Sequence, residues 1–325
     1  MLITGGAGFI GSHLASVLLN QGHNVRVIDD LSTGTITNIQ ELKKHPLFEF
    51  TQGSILDRKA TTKAVDWCDV IFHLAAAVGV KRVVDDPVGA INTNFETTSL
   101  VLDCATKEKK TVLLTSTSEV YGSSQKIPFR EDHNPVLGLT NNGRWSYACT
   151  KALDEFLGLA YYQQYGLPVI VVRLFNTVGP RQAGRYGMVL PRFVQQALKN
   201  LPLTVYGDGT QTRCFGHVSD VVHAISTLAE NPKAVGEVFN IGNDERISII
   251  ELANLVIKIC ESSSKLEFVP YEGIYEGRFD DMQHRVPDLQ KIQRLIGYQP
   301  QMNLQQTIAS VVDHYNQAGT NFDIL

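Results

Sequence analysis

The chain has 325 residues, 43% of them hydrophobic and 19% charged, with a formal net charge of −4. That length can bury a large core, as one α/β unit or two closely joined ones, and the absence of a basic block gives nucleic-acid binding no electrostatic support. No apolar run approaches the length of a membrane span, and the five scattered cysteines, never in CxxC spacing, argue against a disulfide framework or a zinc site and fit reduced thiols in the cytoplasm.

The N-terminal "MLITGGAGFIGS" reads as a strand running into a glycine-rich turn, with no charged, apolar leader. Gly5, Gly8 and Gly11 form a GxxGxxG pattern ahead of the helical period "GSHLASVLLNQG". Glycines lack Cβ, so a pyrophosphate can lie against amide N–H groups at a helix N-terminus. "VRVIDD" closes a second strand about 20 residues on, where an acidic side chain meets ribose hydroxyls. Asp29 takes that role, with Asp30 as second candidate. A carboxylate there repels a ribose phosphate, so NAD is favoured over NADP. In "GSILD", after the third strand, Ile55 is the apolar contact for adenine. "DVIFHLAAA" and "TVLLTSTS" are further buried strands. In "TSTSEVYG", period-2 alternation places Thr117 and Glu119 on one face and Ser116 and Ser118 on the other. Thr117 can hydrogen-bond a reacting hydroxyl or cap the following loop. Glu119, a carboxylate beside an apolar strand, is either functional or a surface residue past the strand end.

"RWSYACTKALDEFLGLAYYQQYG" is helical, and positions i and i+4 share a face, so Tyr147 and Lys151 point into one cleft. A free tyrosine titrates near about 10; a neighbouring ammonium favours the phenolate, which can take a proton from a sugar hydroxyl while hydride leaves the same carbon. "PVIVVRLFN" is the next strand. "PRFVQQALKN" and "SIIELANLVIKICE" are helices, and "LTVYGDGTQTRCFGHV" reads strand, turn, strand. Strands alternating with helices mean a mostly parallel sheet. The expected fold is a Rossmann-type doubly wound α/β sheet, residues 1–175 with about 215–243, carrying a smaller mixed α/β C-terminal lobe, about 176–214 and 244–325.

"TGGAGFIG", "DDLSTG", "HLAA", "TSTSEVYG", "YACTK", "RLFNTVGPRQ", "PLTVYGDGTQTR" and "NIGN" together resemble the extended short-chain dehydrogenase/reductase family that acts on nucleotide sugars. The resemblance implies an NAD site of Gly5, Gly8, Phe9, Ile10, Gly11, Asp29, Asp30, Ser32, Gly34, Ile55, Leu74, Ala75 and Ala76, closed by Tyr147 and Lys151. It implies that Thr117, Ser118, Glu119, Tyr147, Lys151 and Arg213 are catalytic. Asn176 would meet the diphosphate, Val189, Arg192, Thr204 and Tyr206 the uridine, and Arg213 and Arg285 the phosphates. No metal is expected.

Within that family the 4,6-dehydratases carry Asp-Glu where this chain has Ser118-Glu119, and simple 4-epimerases have a small or apolar residue at the Glu119 position. UDP-glucuronate decarboxylases, including UDP-xylose and UDP-apiose/UDP-xylose synthases, look most like this chain, as "RWSYAC" and "FDDMQHRVPD" also do. Arg144, at i, i+3 and i+7 with Tyr147 and Lys151, could hold a substrate carboxylate bidentately, or act as a cap. "AAAVGVKRVVDDP" looks more epimerase-like, so 4-epimerisation of UDP-glucuronate or UDP-glucose stays open beside decarboxylation. A non-catalytic NAD-binding regulator is the third alternative. The family also implies a homodimer through a helix bundle, for which Leu153, Phe156, Leu157, Ala160 and Tyr161 offer an apolar stripe that intramolecular packing would explain equally well.

Overall fold

The computed structural model describes residues 1–79, 85–140, 142–184, 188–270 and 282–318. The strands that matter first are β1 (Leu2–Thr4), β2 (Val25–Asp29), β3 (Phe48–Gln52), β4 (Val70–His73), β5 (Thr111–Thr117) and β6 (Val169–Leu174). Two short strands, β7 (Thr177–Val178) and β10 (Gly216–His217), pair in parallel. Between them lie β8 (Leu203–Tyr206) and β9 (Thr212–Cys214); after them come β11 (Val238–Ile241), β12 (Arg246–Ser248), β13 (Leu266–Val269) and β14 (His284–Arg285). The helices are α1 (Phe9–Asn20), α2 (Arg58–Trp67), α3 (Pro87–Thr106), α4 (Arg144–Tyr165), α5 (Val189–Leu198), α6 (Val218–Ala229), α7 (Ile249–Ile259), α8 (Gln290–Ile296) and α9 (Leu304–Ala318).

Seven strands form one sheet in the order β11-β6-β5-β4-β1-β2-β3, and every pair in it is parallel. Helices cover both faces, which is why the strands read as continuous apolar runs. Alternation sorts the side chains. Phe72, Ile170 and Val172 join Leu14, Leu18, Val221 and Ile225 of α1 and α6 on one face. Ile71, Val169 and Val171 join Val65, Val101 and Leu102 of α2 and α3 on the other. Strand order reverses between β1 and β4. A crevice opens there at the carboxyl ends of the strands, the place where such sheets take ligands.

A second core lies outside the sheet, where Leu190, Phe193 and Val194 of α5 pack with Leu252 and Val256 of α7 and Ile308 and Val311 of α9. The segment "LTVYGDGTQTRC" does give two strands, yet they are not paired with each other: β8 runs beside β13, and β9 lies between β12 and β14. The stretch around α8 departs from the expected division of the chain. Leu289, Ile292 and Tyr298 pack into the sheet's core, not the second one, because their apolar faces complete the cover over β11 and α6. Among the described residues no helix is long and apolar enough to cross a membrane.

Candidate active site

The crevice is a cleft of about 660 Å³ whose walls come from both cores. Its floor starts at the glycine turn. A Cβ on Gly11 would sit 2.5 Å from the Gly5 carbonyl oxygen, so the turn closes only with glycine there. α1 begins at Phe9 with no side-chain cap and no acidic residue in its first turn. Its leading N–H groups therefore face the cleft unsatisfied, a setting that favours an anion.

Asp29 ends β2 almost fully buried, at 7% exposure. Its two carboxylate oxygens accept from the backbone N–H of Ala7 at 2.9 Å and of Leu31 at 2.8 Å. Burial pushes its pKa up despite these two bonds. The bonds fix the carboxylate at the C-terminal end of β2, where it lines the cleft. Asp30 lines the cleft from its exposed rim, where one of its oxygens accepts from the Ser32 amide at 2.9 Å. Ile55, Ser32, Leu74, Ala75 and Ala76 line the same half of the cleft. Gly34 does not line it; it backs Asp29, since a Cβ there would stand 3.0 Å from each carboxylate oxygen.

The expected alternation fails beyond Thr117, because β5 ends there and Ser118–Tyr121 form a 3-10 turn. Thr117 caps that turn, its hydroxyl accepting from the Glu119 N–H at 3.3 Å. Thr117, Ser118 and Glu119 all line the cleft nonetheless. The turn swings Glu119 across to Arg285, whose Nη1 lies 3.5 Å from Oε1. Ser116 points away, into a buried bond with Glu155, which Arg173 holds at 2.7 Å.

Tyr147 and Lys151 both open into the cleft from α4. The Lys151 ammonium, however, donates to Asp154 Oδ2 at 2.7 Å, with side-chain exposures of 5% and 2% for the pair. The expectation of an uncompensated ammonium lowering the Tyr147 pKa is therefore not met. Burial pushes the Tyr147 hydroxyl up, and the Glu119 and Asp154 carboxylates add to it. Arg144 opens α4 one turn before Tyr147; its side chain lies outside the described residues. The epimerase-like segment after β4 falls partly on residues 80–84, and "FDDMQHRVPD" partly on 279–281, both outside them too.

The opposite wall carries the remaining candidates. Asn176, Val189, Arg192, Tyr206, Arg213 and Arg285 line the cleft. Arg213 and Arg285 are register partners on β9 and β14, and both line the cleft. The Arg192 guanidinium lies 4.2 Å above the Tyr206 ring, a flat platform suited to a nucleobase. Thr204 is behind this wall: its carbonyl oxygen accepts from Arg192 Nη2 at 3.0 Å and its hydroxyl from Gln196 at 3.0 Å. Asn176 takes a left-handed φ of 30° and donates to the Cys214 carbonyl at 2.9 Å.

Two residues escaped the sequence reading. Thr177 lines the cleft with a buried hydroxyl that has no partner, so it is ready for a ligand oxygen. Nothing in a single threonine signals this. Asp154 was legible in principle, since it stands three residues after Lys151 and seven after Tyr147, on the same helix face.

The chain belongs to the GDP-mannose 4,6 dehydratase family, whose model matches residues 2–311. It is an enzyme of that family. It is 42% identical to a UDP-N-acetyl-alpha-D-glucosaminuronate decarboxylase of Bacillus cytotoxicus, over 97% of this chain and 97% of that protein. It is 36% identical to UDP-glucuronic acid decarboxylase 4 of Arabidopsis thaliana, over 98% of this chain and 68% of that protein. Among solved structures it is similar to a UDP-glucuronic acid 4-epimerase from Bacillus cereus in complex with UDP-glucuronic acid and NAD, with a TM-score of 0.88 and 31% identity, covering 98% of this chain and 99% of that one.

Proposed function

We propose that this protein is an NAD-dependent UDP-hexuronate decarboxylase that oxidises C4, releases carbon dioxide and re-reduces the sugar, giving UDP-xylose from UDP-glucuronate. The observation that carries the reading is the strand-end pair. Ser118 stands where a dehydratase has its acid, and Glu119 faces a cluster of two arginines beside the Tyr147 base. Relatives that carry the name decarboxylase, matched over 97% and 68% of their own length, support it.

NAD fits the cleft on its own terms. The open first turn of α1 suits a diphosphate, the buried Asp29 carboxylate a ribose, and Ile55 an adenine. Bound there, NAD would supply the hydride acceptor for C4 and the source of the hydride returned at the end. Tyr147 accepts the C4 hydroxyl proton. The Thr117 hydroxyl, already accepting from the Glu119 amide, keeps its own proton to donate to that oxygen. Lys151, paired with Asp154, would hold the ribose hydroxyls on the cofactor side of Tyr147. Oxidation makes the sugar a β-keto acid, so the C5–carboxyl bond can break with its electrons moving into the C4 oxygen. Glu119 and Arg213 orient the carboxylate and manage the proton returning to C5. Arg285 holds Glu119 and, with Asn176, meets the diphosphate. Arg192 and Tyr206 hold the base.

A second reading changes only the group at C2. The relative at 42% identity is named for an N-acetylated hexuronate, whereas the glucuronate decarboxylases stand at 34–36%. The experiment is incubation of the protein and NAD with UDP-glucuronate and, separately, UDP-N-acetylglucosaminuronate, with product mass and NMR as readout. Loss of carbon dioxide from either supports decarboxylation and names the C2 group. Unchanged mass with inverted C4 would replace it with the epimerase reading, and no turnover of any UDP-sugar would leave a non-catalytic NAD-binding protein.

The same reading includes a homodimer. Ile91 and Phe95 of α3 and Leu153 and Phe156 of α4 are exposed by 40%, 38%, 45% and 70%, on two helices packed against each other. An apolar face this open on paired helices suits a second copy.

A further inference from the structure

The Lys151 ammonium is committed to Asp154, and Asp154 is only half satisfied. Its Oδ1 is buried without a hydrogen-bond partner. An unsatisfied buried oxygen in an ordered core calls for a reason. Thr98 of α3 lies near enough for its hydroxyl to favour the ionised carboxylate, but makes no hydrogen bond to Oδ1. Thr98 Oγ1 in turn shares a hydrogen bond with His73 Nε2 at 3.3 Å, and His73 Nδ1 one with Thr4 Oγ1 at 2.8 Å. Thr4 Oγ1 accepts from the Leu74 and Ala75 amides, both at 3.2 Å.

One proton order satisfies these contacts. Thr4 accepts from two amides, so its own proton goes to His73 Nδ1. That ring nitrogen is then bare, and Nε2–H donates to Thr98. Burial keeps His73 neutral by lowering its pKa to about 3, with Lys151 adding to the effect. The contacts end at backbone amides, so they cannot carry a proton to solvent. They can brace. Their far end is the Leu74–Ala76 loop, which lines the cleft with Tyr147 and Lys151.

We propose that Asp154 is a positioning residue: it holds the Lys151 ammonium in a buried ion pair beside the Thr98–His73–Thr4 hydrogen bonds, and so sets the pH at which Tyr147 works. This rests on the reading of Tyr147 as the base. Among the described residues, the charged and titratable groups around Tyr147 are Lys151 and Asp154 on α4, Glu119 after β5 with its partner Arg285 on β14, and neutral His73 on β4. Ionised Asp154 opposes the phenolate directly and cancels the ammonium that would favour it.

The test is Asp154→Asn in the NAD-loaded enzyme, with single-turnover C4 oxidation of a UDP-hexuronate followed by nicotinamide absorbance across pH. That step is common to decarboxylation and epimerisation, so failure of the decarboxylase reading leaves the test standing. Removing the carboxylate charge should move the acidic limb of the rate profile down by about one pH unit. Asp154→Glu, which keeps the charge, should restore the wild-type limb. If Asp154→Asn does not fold, Asp154→Ser carries the same measurement. A limb lost in Tyr147→Phe but unmoved in a folded Asp154→Asn overturns the proposal alone. A limb that survives Tyr147→Phe removes the base reading and the proposal together.

Discussion

At the scale of single residues, two side chains carry the chemistry in the mechanism we propose. Tyr147 is the group assigned the C4 proton there, and its ring packs on Ala77 and Ala90 independently of its hydroxyl. Tyr147→Phe should keep that packing and lower turnover by about two to four orders of magnitude, while UDP binding measured by calorimetry stays near wild type. Retention of a tenth of the activity would exclude Tyr147 as the base. Glu119 is the second. Glu119→Gln preserves size and the capping of its turn but removes the charge facing Arg285. Carbon dioxide release should fall strongly while C4 oxidation persists, so reduced nicotinamide should accumulate in the mutant. If both steps slow equally, Glu119 shapes the pocket and takes no part in decarboxylation. The residue types here were readable in the sequence; their partners were not. Glu119 meets Arg285 across 166 positions of chain, and no local pattern encodes that contact.

At the scale of elements, α4 does two jobs. Its inner face presents Tyr147, Lys151 and Asp154, and Gly166, in the left-handed region at φ 65°, ends it. Deeper on that side, Glu155 pairs with Arg173 of β6, which also lies 4.7 Å over the Tyr121 ring. Breaking a buried pair on one side leaves an uncompensated charge. Arg173→Met should therefore lower unfolding stability by roughly 3–5 kcal/mol, measured by urea denaturation. Replacement of both partners by apolar residues should recover much of the loss; a change under about 1 kcal/mol for Arg173→Met would show the pair to be solvated. The outer face of α4 carries Phe156. Phe156→Glu should convert a dimer into a monomer by light scattering; a wild-type monomer would remove the interface. Glycine does comparable structural work after β5. Gly122 sits at φ 61°, and a Cβ there would meet the Val136 carbonyl oxygen at 2.0 Å, so the turn that delivers Glu119 depends on it.

The whole molecule holds buried histidines that stay neutral. His73 is lowered to about 3 and His13 to about 4, in both cases chiefly by burial. The unfolded chain titrates these groups near about 6.5, so between that pH and the folded values it binds more protons than the native state. Stability from this source is fully present above about 6.5 and is lost as pH falls, by about 2 kcal/mol per histidine at pH 5. Asp29, Glu131 and Asp154, raised by burial, work in the opposite sense and trim the loss. Urea midpoints at pH 7 and pH 5 should thus differ clearly, and His13→Gln should flatten the difference by up to about half. Identical slopes in both proteins would mean that His13 is solvated in the native state.

The sequence alone determined the sheet, the glycine turn with Asp29, and the helix that presents Tyr147 and Lys151. Apolar runs of period two, glycines at fixed offsets and an i, i+4 pair are local signals, and local backbone physics reads them out directly. The tertiary structure decided what those groups face. It ended β5 at Thr117, where the chain turns and buries Val120 and Tyr121 with Phe129 and Trp145, and so sent Glu119 to Arg285. It set Arg213 beside Arg285 by pairing strands that are far apart in the chain. It moved α8 onto the sheet's core and gave Lys151 to Asp154. Charge partners and packing faces depend on which distant segments meet, and that is settled only when the two cores close around the cleft.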